Sequence, residues 1–302
     1  MSAATTNAHY NPITNDFAIV DDGKHGLPQV MWHVTDRCPL DCPYCFATKS
    51  GLDADVTRLD RIIEVFKEIR VQKVDIAGGE PLIWNQLSST ATSLAEAGFF
   101  LTLTTSGIGF ESQRRWLIDR ADLFSRIIIS IDGPSDIEHD ALRRNPGTFA
   151  KAKILISELH EASYTKVRIN TVLVRPMTDD KTLQRLASTI SSMGPEEWCI
   201  IQPHPANQKP DFHRFALDST TFNEAVTYLK RIAQSHSLPI GHIISRSVQQ
   251  YEGYWVLYPD GILRRHTSGS EDCAEISLLG SLSEDIIAAV QHYGFNAPMR
   301  RL

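Results

Sequence analysis

Short runs of β-branched and aromatic residues alternate with longer stretches in which apolar side chains return every three or four positions. The alternation repeats about six times between residues 29 and 202. It predicts strands at 30–35, 74–77, 100–105, 126–131, 167–174 and 198–202. Between them, Leu59, Ile62, Ile63, Phe66 and Ile69 share one helical face, and Leu155, Ile156 and Leu159 mark another. Strand, helix, strand in this order implies parallel pairing through right-handed crossovers, an α/β fold. Six such units are too few for a closed eight-fold barrel and enough for a curved, partly open (β/α)6 barrel. Ligands of such sheets bind beyond the carboxyl ends of the strands.

The character changes after about residue 205. A stretch rich in Pro, His and Asn (203–210) leads to a predicted helix over 220–234, then to a hairpin in which Pro259-Asp260-Gly261 turns between two apolar runs. The expected organisation is an N-terminal extension (1–28), a core (29–205) and a small α+β extension (206–302) covering the substrate site.

Composition adds limits. The 302 residues are 42% hydrophobic and 22% charged, enough apolar material for a sizeable core. A formal charge of −6, with no block of five like charges, gives no electrostatic footprint for nucleic acid. The first 25 residues carry Asp16, Asp21 and Asp22 and no apolar core of signal-peptide length, and no stretch has 18 consecutive apolar residues. The expectation is a cytoplasmic protein without membrane or nucleic-acid partners. Five cysteines, three of them bunched, do not form the even set of a secreted disulfide framework.

Those three are Cys38, Cys42 and Cys45, a Cys-x3-Cys-x2-Cys run. A tetrahedral metal wants four donors, so three thiolates suggest either an open site or a zinc knuckle completed by His33 or Asp41. Gly78-Gly79-Glu80-Pro81 follows directly after the second predicted strand. There two glycines let backbone approach a ligand closely and a carboxylate comes next. Taken alone, the motif is more often a loop than a site.

Together, in this order, the two motifs resemble those of the radical S-adenosylmethionine (SAM) superfamily. The resemblance implies that Cys38, Cys42 and Cys45 hold a [4Fe-4S] cluster whose open iron is chelated by the amino and carboxylate groups of SAM. It implies that Gly78, Gly79 and Glu80 hold the SAM amino group. Thr105-Ser106-Gly107 falls where the family often has a Thr-Asn-Gly turn, and Ser130 and Asp132 end the next strand. Arg143, in His139-Asp140-Ala141-Leu142-Arg143, looks like the arginine that meets the SAM carboxylate. Asn170 would face the ribose hydroxyls, and Tyr44 would shield the cluster or pack on adenine. The implied chemistry is reductive cleavage of SAM to a 5'-deoxyadenosyl radical, with the electron coming from a flavodoxin or ferredoxin.

The C-terminal third resembles a SPASM/twitch-like extension that has lost its cysteines. Pro259-Asp260-Gly261 and Leu279-Gly280-Ser281-Leu282 match that scaffold, while Arg265 and His266 stand where cysteines would be. Cys199 and Cys273 are too few to ligate a standard auxiliary cluster. A looser resemblance is to the viperin-like branch, which acts on nucleoside triphosphates. It rests on Cys45-Phe46, Arg168-Ile169-Asn170, Tyr254 and the tail of Gly294, Phe295, Arg300 and Arg301. It makes Arg168, His204, Arg300 and Arg301 candidate substrate contacts, the tail arginines being equally consistent with a solvated tail. Cys199 stands where that branch has a phosphate-binding lysine.

Cys199 in an apolar strand reads as a small buried hydrophobe or as a hydrogen-atom donor to a product radical, and Tyr254 is the other candidate donor. The favoured function is an enzyme of a small polar metabolite or nucleotide, since no peptide-recognition domain precedes the cysteines. The rivals are a maturase or epimerase of a ribosomal peptide and a non-catalytic iron–sulfur or zinc protein.

Overall fold

A computed structural model describes residues 9–11, 16–18, 27–205, 209–235, 238, 240–251, 254–266, 274–281 and 283–293. Two short strands, β1 (His9–Asn11) and β2 (Asp16–Ala18), pair antiparallel. The six predicted strands all form: β3 (Gln29–Thr35), β4 (Lys73–Gly78), β5 (Phe100–Thr105), β6 (Phe124–Ser130), β7 (Val167–Val172) and β8 (Glu197–Ile201). They pair in parallel in sequence order. The helices are α1 (Leu59–Glu68), α2 (Leu87–Glu96), α3 (Glu111–Asp119), α4 (Asp136–Arg143), α5 (Thr148–Glu161), α6 (Asp180–Ser192), α7 (Ser219–Ser235) and α8 (Ser283–Tyr293). The predicted faces of α1 and α5 are found, and the helix predicted over 220–234 forms as α7.

The described residues after 205 do more than cover a site. β9 (His242–Arg246) adds in parallel to β8, and β10 (Tyr254–Leu257) adds in parallel to β3 at the other edge. The run from β10 through β3 to β9 is therefore eight parallel strands within a ten-stranded sheet. β11 (Ile262–His266) and β12 (Glu275–Ser277) continue antiparallel beyond β10, the first of them closing the predicted hairpin. The two flanking parallel strands are close in sequence yet lie at opposite ends of that run. Arg246 Nη1 on β9 donates to the Tyr254 hydroxyl on β10 at 3.5 Å. The sheet thus curls until its edges nearly meet.

Alternation along the strands separates two faces. Val30, Trp32, Ile76, Leu103, Ile127, Ile169, Trp198 and Ile200 are essentially fully buried, consistent with a face packed under the helices. The opposite face is unusually polar for a parallel sheet, whose strands normally bury apolar side chains on both sides. Its floor holds Asp75, Thr102, Arg126, Arg168 and Glu197, all buried. Nearer the carboxyl ends, Thr104, Ser130, Asn170 and Ile201 retain partial exposure, while Ile128 and Cys199 on the same face are buried. The lumen is therefore open above a closed polar floor. No helix among the described residues is long and apolar enough to cross a membrane.

Trp255, fully buried on β10, tests whether the late strands belong to this sheet. Trp255→Ala is expected to cost about 3–5 kcal/mol, read as a lower urea midpoint in a single cooperative transition. A separate early transition would show that the late strands fold apart from the barrel.

Candidate active site

The three clustered cysteines lie in the loop that leaves β3, at the carboxyl end of the sheet. Cys42 is buried, and Cys38 and Cys45 are half-buried. Asp36 anchors the base of the loop by accepting from Thr48 Oγ1 at 2.8 Å and from the Ser50 hydroxyl. Asp41 anchors its crest through Lys49 (3.2 Å), Arg144 (3.2 Å) and Lys209 (2.8 Å). Those cations hold the Asp41 carboxyl well below the usual carboxylate range, the Lys209 hydrogen bond contributing most. Lys209 also donates to the Cys42 carbonyl at 2.8 Å, which ties the segment after β8 to the loop. Burial pushes the Cys38 thiol up to about 12 and raises Cys42 as well, so thiolates here need a bound cation to compensate them.

The Gly-Gly-Glu loop passes directly beneath. Gly79 N donates to Thr35 O at 2.6 Å and Glu80 N to Arg37 O at 2.9 Å. A Cβ at Gly79 would stand 2.1 Å from Arg37 O, and one at Gly78 (φ +127°) would stand 2.4 Å from Thr35 O. Only glycine permits this approach. Glu80 is 1% exposed, and its carboxylate is saturated. It accepts from Leu82 N (3.0 Å), Thr105 Oγ1 (2.5 Å), Ser106 N (2.7 Å) and Ser106 Oγ (2.5 Å). Burial raises its pKa and these donors pull it back. The side chains of Glu80 and Ser106, both expected at the SAM site, are bonded to each other in this structure. Those groups spend their bonds on each other and hold the loop's backbone in place.

Asp132 and Arg143 are likewise engaged. Arg143 Nη2 lies 2.7 Å from Asp132 Oδ2, Tyr44 OH donates to the same oxygen at 2.6 Å, and Val172 N donates to Oδ1 at 2.8 Å. The Tyr44 ring also sits 5.9 Å from Phe215. Arg143 Nη1 reaches Cys42 Sγ at 3.8 Å. Asn170 faces the lumen beside Ser130, its register partner, and Asn170 Oδ1 is buried without a hydrogen-bond partner.

Arg168, a candidate substrate contact, lies on the lumen floor. Its guanidinium is 3% exposed and paired with Glu197, one layer below Asn170. Desolvation lowers its pKa, with Arg126 and Arg246 adding to the effect. Cys199 is fully buried on the lumen face of β8, its thiol pushed up by desolvation. Tyr254 is 5% exposed. His204 packs 5.4 Å from Phe46, which lies 4.9 Å from His266, itself joined to Tyr258 OH at 2.6 Å. Arg300, Arg301 and Cys273 lie outside the described residues.

A zinc knuckle does not fit. Asp41 is occupied by three cations, and the His33 ring stands edge-on to Phe46 and Tyr258. Among the described residues no three His, Cys, Asp or Glu side chains converge on one metal position. Thiolates that each bind a different iron of a cluster need no such convergence, so the donor set fits a [4Fe-4S] group.

The sequence model of the Radical SAM superfamily matches residues 32–187, more than half of the chain. The chain belongs to the radical SAM superfamily. The cofactors of that superfamily are a [4Fe-4S] cluster and SAM. One relative is a probable GTP 3',8-cyclase of Archaeoglobus fulgidus, 29% identical over 194 residues, covering 63% of this chain and 64% of that protein. Another is a SAM-dependent nucleotide dehydratase of Flammeovirga pacifica, 22% identical over 218 residues, covering 68% and 73%. The chain spans 52–64% of the length of the GTP 3',8-cyclases it matches. Among solved structures, Streptococcus suis SuiB bound to SAM matches with a TM-score of 0.69 at 12% identity, covering 87% of this chain and 66% of that one. The peptide-bound anSMEcpe structure matches with a TM-score of 0.68 at 14% identity, covering 88% and 82%. At such identities the likeness concerns the fold.

Sequence reasoning missed Lys209 and Asp36, which both hold the cysteine loop. Lys209 gave no local signal, whereas the one available for Asp36 was its place between a strand end and the first cysteine. Gly79→Ala is expected to abolish most iron and sulfide uptake on anaerobic reconstitution while the folded chain survives. Unchanged iron content would show that the close approach of the two loops is not required.

Proposed function

We propose that this chain is a radical SAM enzyme that acts on a small polar substrate held in the barrel lumen, without a second cluster. The observation that carries the reading is the convergence of the cysteine loop, the Gly-Gly-Glu loop, Ser130 and Asn170 at one mouth of a lumen that is polar and open. When bound, the cluster and SAM supply a 5'-deoxyadenosyl radical that takes a hydrogen atom from the substrate. The electron comes from an external carrier of flavodoxin or ferredoxin type.

The chain's own residues orient and enclose. The backbone of the Gly-Gly-Glu loop, made rigid by the Glu80 clamp, presents carbonyls suited to an ammonium group. Asn170 offers an amide to vicinal hydroxyls. The buried floor closes the lumen from below and limits the water that would compete for a reactive intermediate. The mixed polar lining suits a nucleotide or related metabolite, the class named in the GTP cyclase and nucleotide dehydratase relatives. With three of five cysteines in the loop, Cys199 and Cys273 are too few for a second cluster, so a product radical takes a hydrogen atom from a protein group, and one electron from the external carrier with one proton restores that group. Cys199, protonated and facing the lumen, and Tyr254 at the seam are the candidate donors.

Anaerobic reconstitution followed by dithionite and SAM is expected to yield 5'-deoxyadenosine, and the yield should vanish in Cys42→Ala. No product from fully loaded chain would overturn the reading. With deuterated candidate nucleotides and, separately, peptides, label should enter 5'-deoxyadenosine from the nucleotide class, and transfer only from peptides would overturn the substrate assignment. Cys199→Ala or Tyr254→Phe is expected to keep SAM cleavage and reduce product formation at least tenfold. Full turnover in both variants would exclude a donor role for either.

A further inference from the structure

We infer that Arg143 is a positioning residue that sets the reduction potential of the cluster through Cys42, rather than serving only as a contact for SAM. The inference rests on the reading that Cys38, Cys42 and Cys45 hold a cluster. Its basis is a chain of short contacts that fixes one guanidinium against one ligand sulfur. Arg143 Nη1 reaches Cys42 Sγ at 3.8 Å, and Nη2 pairs with Asp132 Oδ2 at 2.7 Å. The Asp132 side chain is fully buried and that of Arg143 is 11% exposed, so solvent screens neither charge strongly.

Asp132 is itself held from three further directions. Tyr44 OH and Val172 N donate to its carboxylate at 2.6 and 2.8 Å, and its own N–H donates to His139 Nδ1 at 3.0 Å. His139 is fully buried, and desolvation lowers its pKa to about 2, so it remains a neutral acceptor. The guanidinium therefore has little freedom to leave the sulfur. A planar fork can serve a carboxylate and a sulfur at once, which a lysine ammonium does less well.

A cluster gains one negative charge when an external one-electron donor reduces it. A cation and an N–H donor beside a ligand sulfur favour that form and raise the midpoint potential. Asp132, carrying the opposite charge on the far end of the same pair, tempers the effect. The two residues should thus act with opposite signs, whereas simple loosening of the loop would move both variants the same way.

The test is an EPR-monitored redox titration of the reconstituted full chain, with iron and sulfide content measured alongside. Arg143→Gln is expected to weaken reduction about tenfold, a fall of about 59 mV for a one-electron couple, and Asp132→Asn to raise the midpoint. If Arg143→Gln does not hold iron, Arg143→Lys takes its place with a smaller fall expected. An unmoved midpoint in a loaded Arg143 variant, or shifts of the same sign in the Arg143 and Asp132 variants, would overturn the inference. Absence of any reducible cluster signal in the unmodified chain would instead overturn the cluster reading on which it rests.

Discussion

The site depends on one buried carboxylate. Glu80 has no ion-pair partner among the described contacts and is held by four neutral donors, two of them backbone N–H groups. Losing one donor from a buried carboxylate leaves part of its desolvation uncompensated, about 1–3 kcal/mol. The clamp joins the end of β4 to the end of β5. It also fixes Gly78 and Gly79 under Thr35 and Arg37, so the cysteine loop above has a rigid base.

That loop is then gripped from both sides. Asp36 ties its base within the core, while Asp41 draws in Arg144 from the turn after α4 and Lys209 from the segment after β8. The exposed pairs contribute little stability individually. Their value lies in geometry: three separate parts of the chain meet at Cys42, from its carbonyl to its sulfur. The barrel makes this meeting possible because parallel strands deliver all their carboxyl ends to one mouth.

Much of the fold was legible in the sequence because β3 to β8 and the faces of α1 and α5 obey strong periodicity. Helices α2, α3, α4 and α6 were not read. Segments such as Leu87–Glu96, rich in Ser and Thr, owe their helical state to packing on the sheet more than to pattern. Of the late strands, β10 was read as an arm of the hairpin and β9 was not, and their places at opposite ends of the parallel run carry no local signal. The site divides in the same way. Cysteine spacing and paired glycines are covalent facts of the chain, so Cys38, Cys42, Cys45, Gly78 and Gly79 were found directly. The intramolecular partners of Glu80, Ser106, Asp132, Arg143 and Arg168 were not, because a polar residue's partner is chosen by proximity in space.

The sequence by itself therefore determined the α/β class, the three-thiol loop and the close-approach glycines. These rest on periodicity, spacing and the absence of a side chain, all of which are local. Tertiary structure decided which charges meet. It spent Glu80 on Thr105 and Ser106, placed Arg168 on the lumen floor with Glu197, and set Arg143 between Asp132 and Cys42. Electrostatic and hydrogen-bond partners at the site lie as many as 168 residues apart along the chain, as Lys209 and Asp41 do. Only the folded sheet brings them within reach.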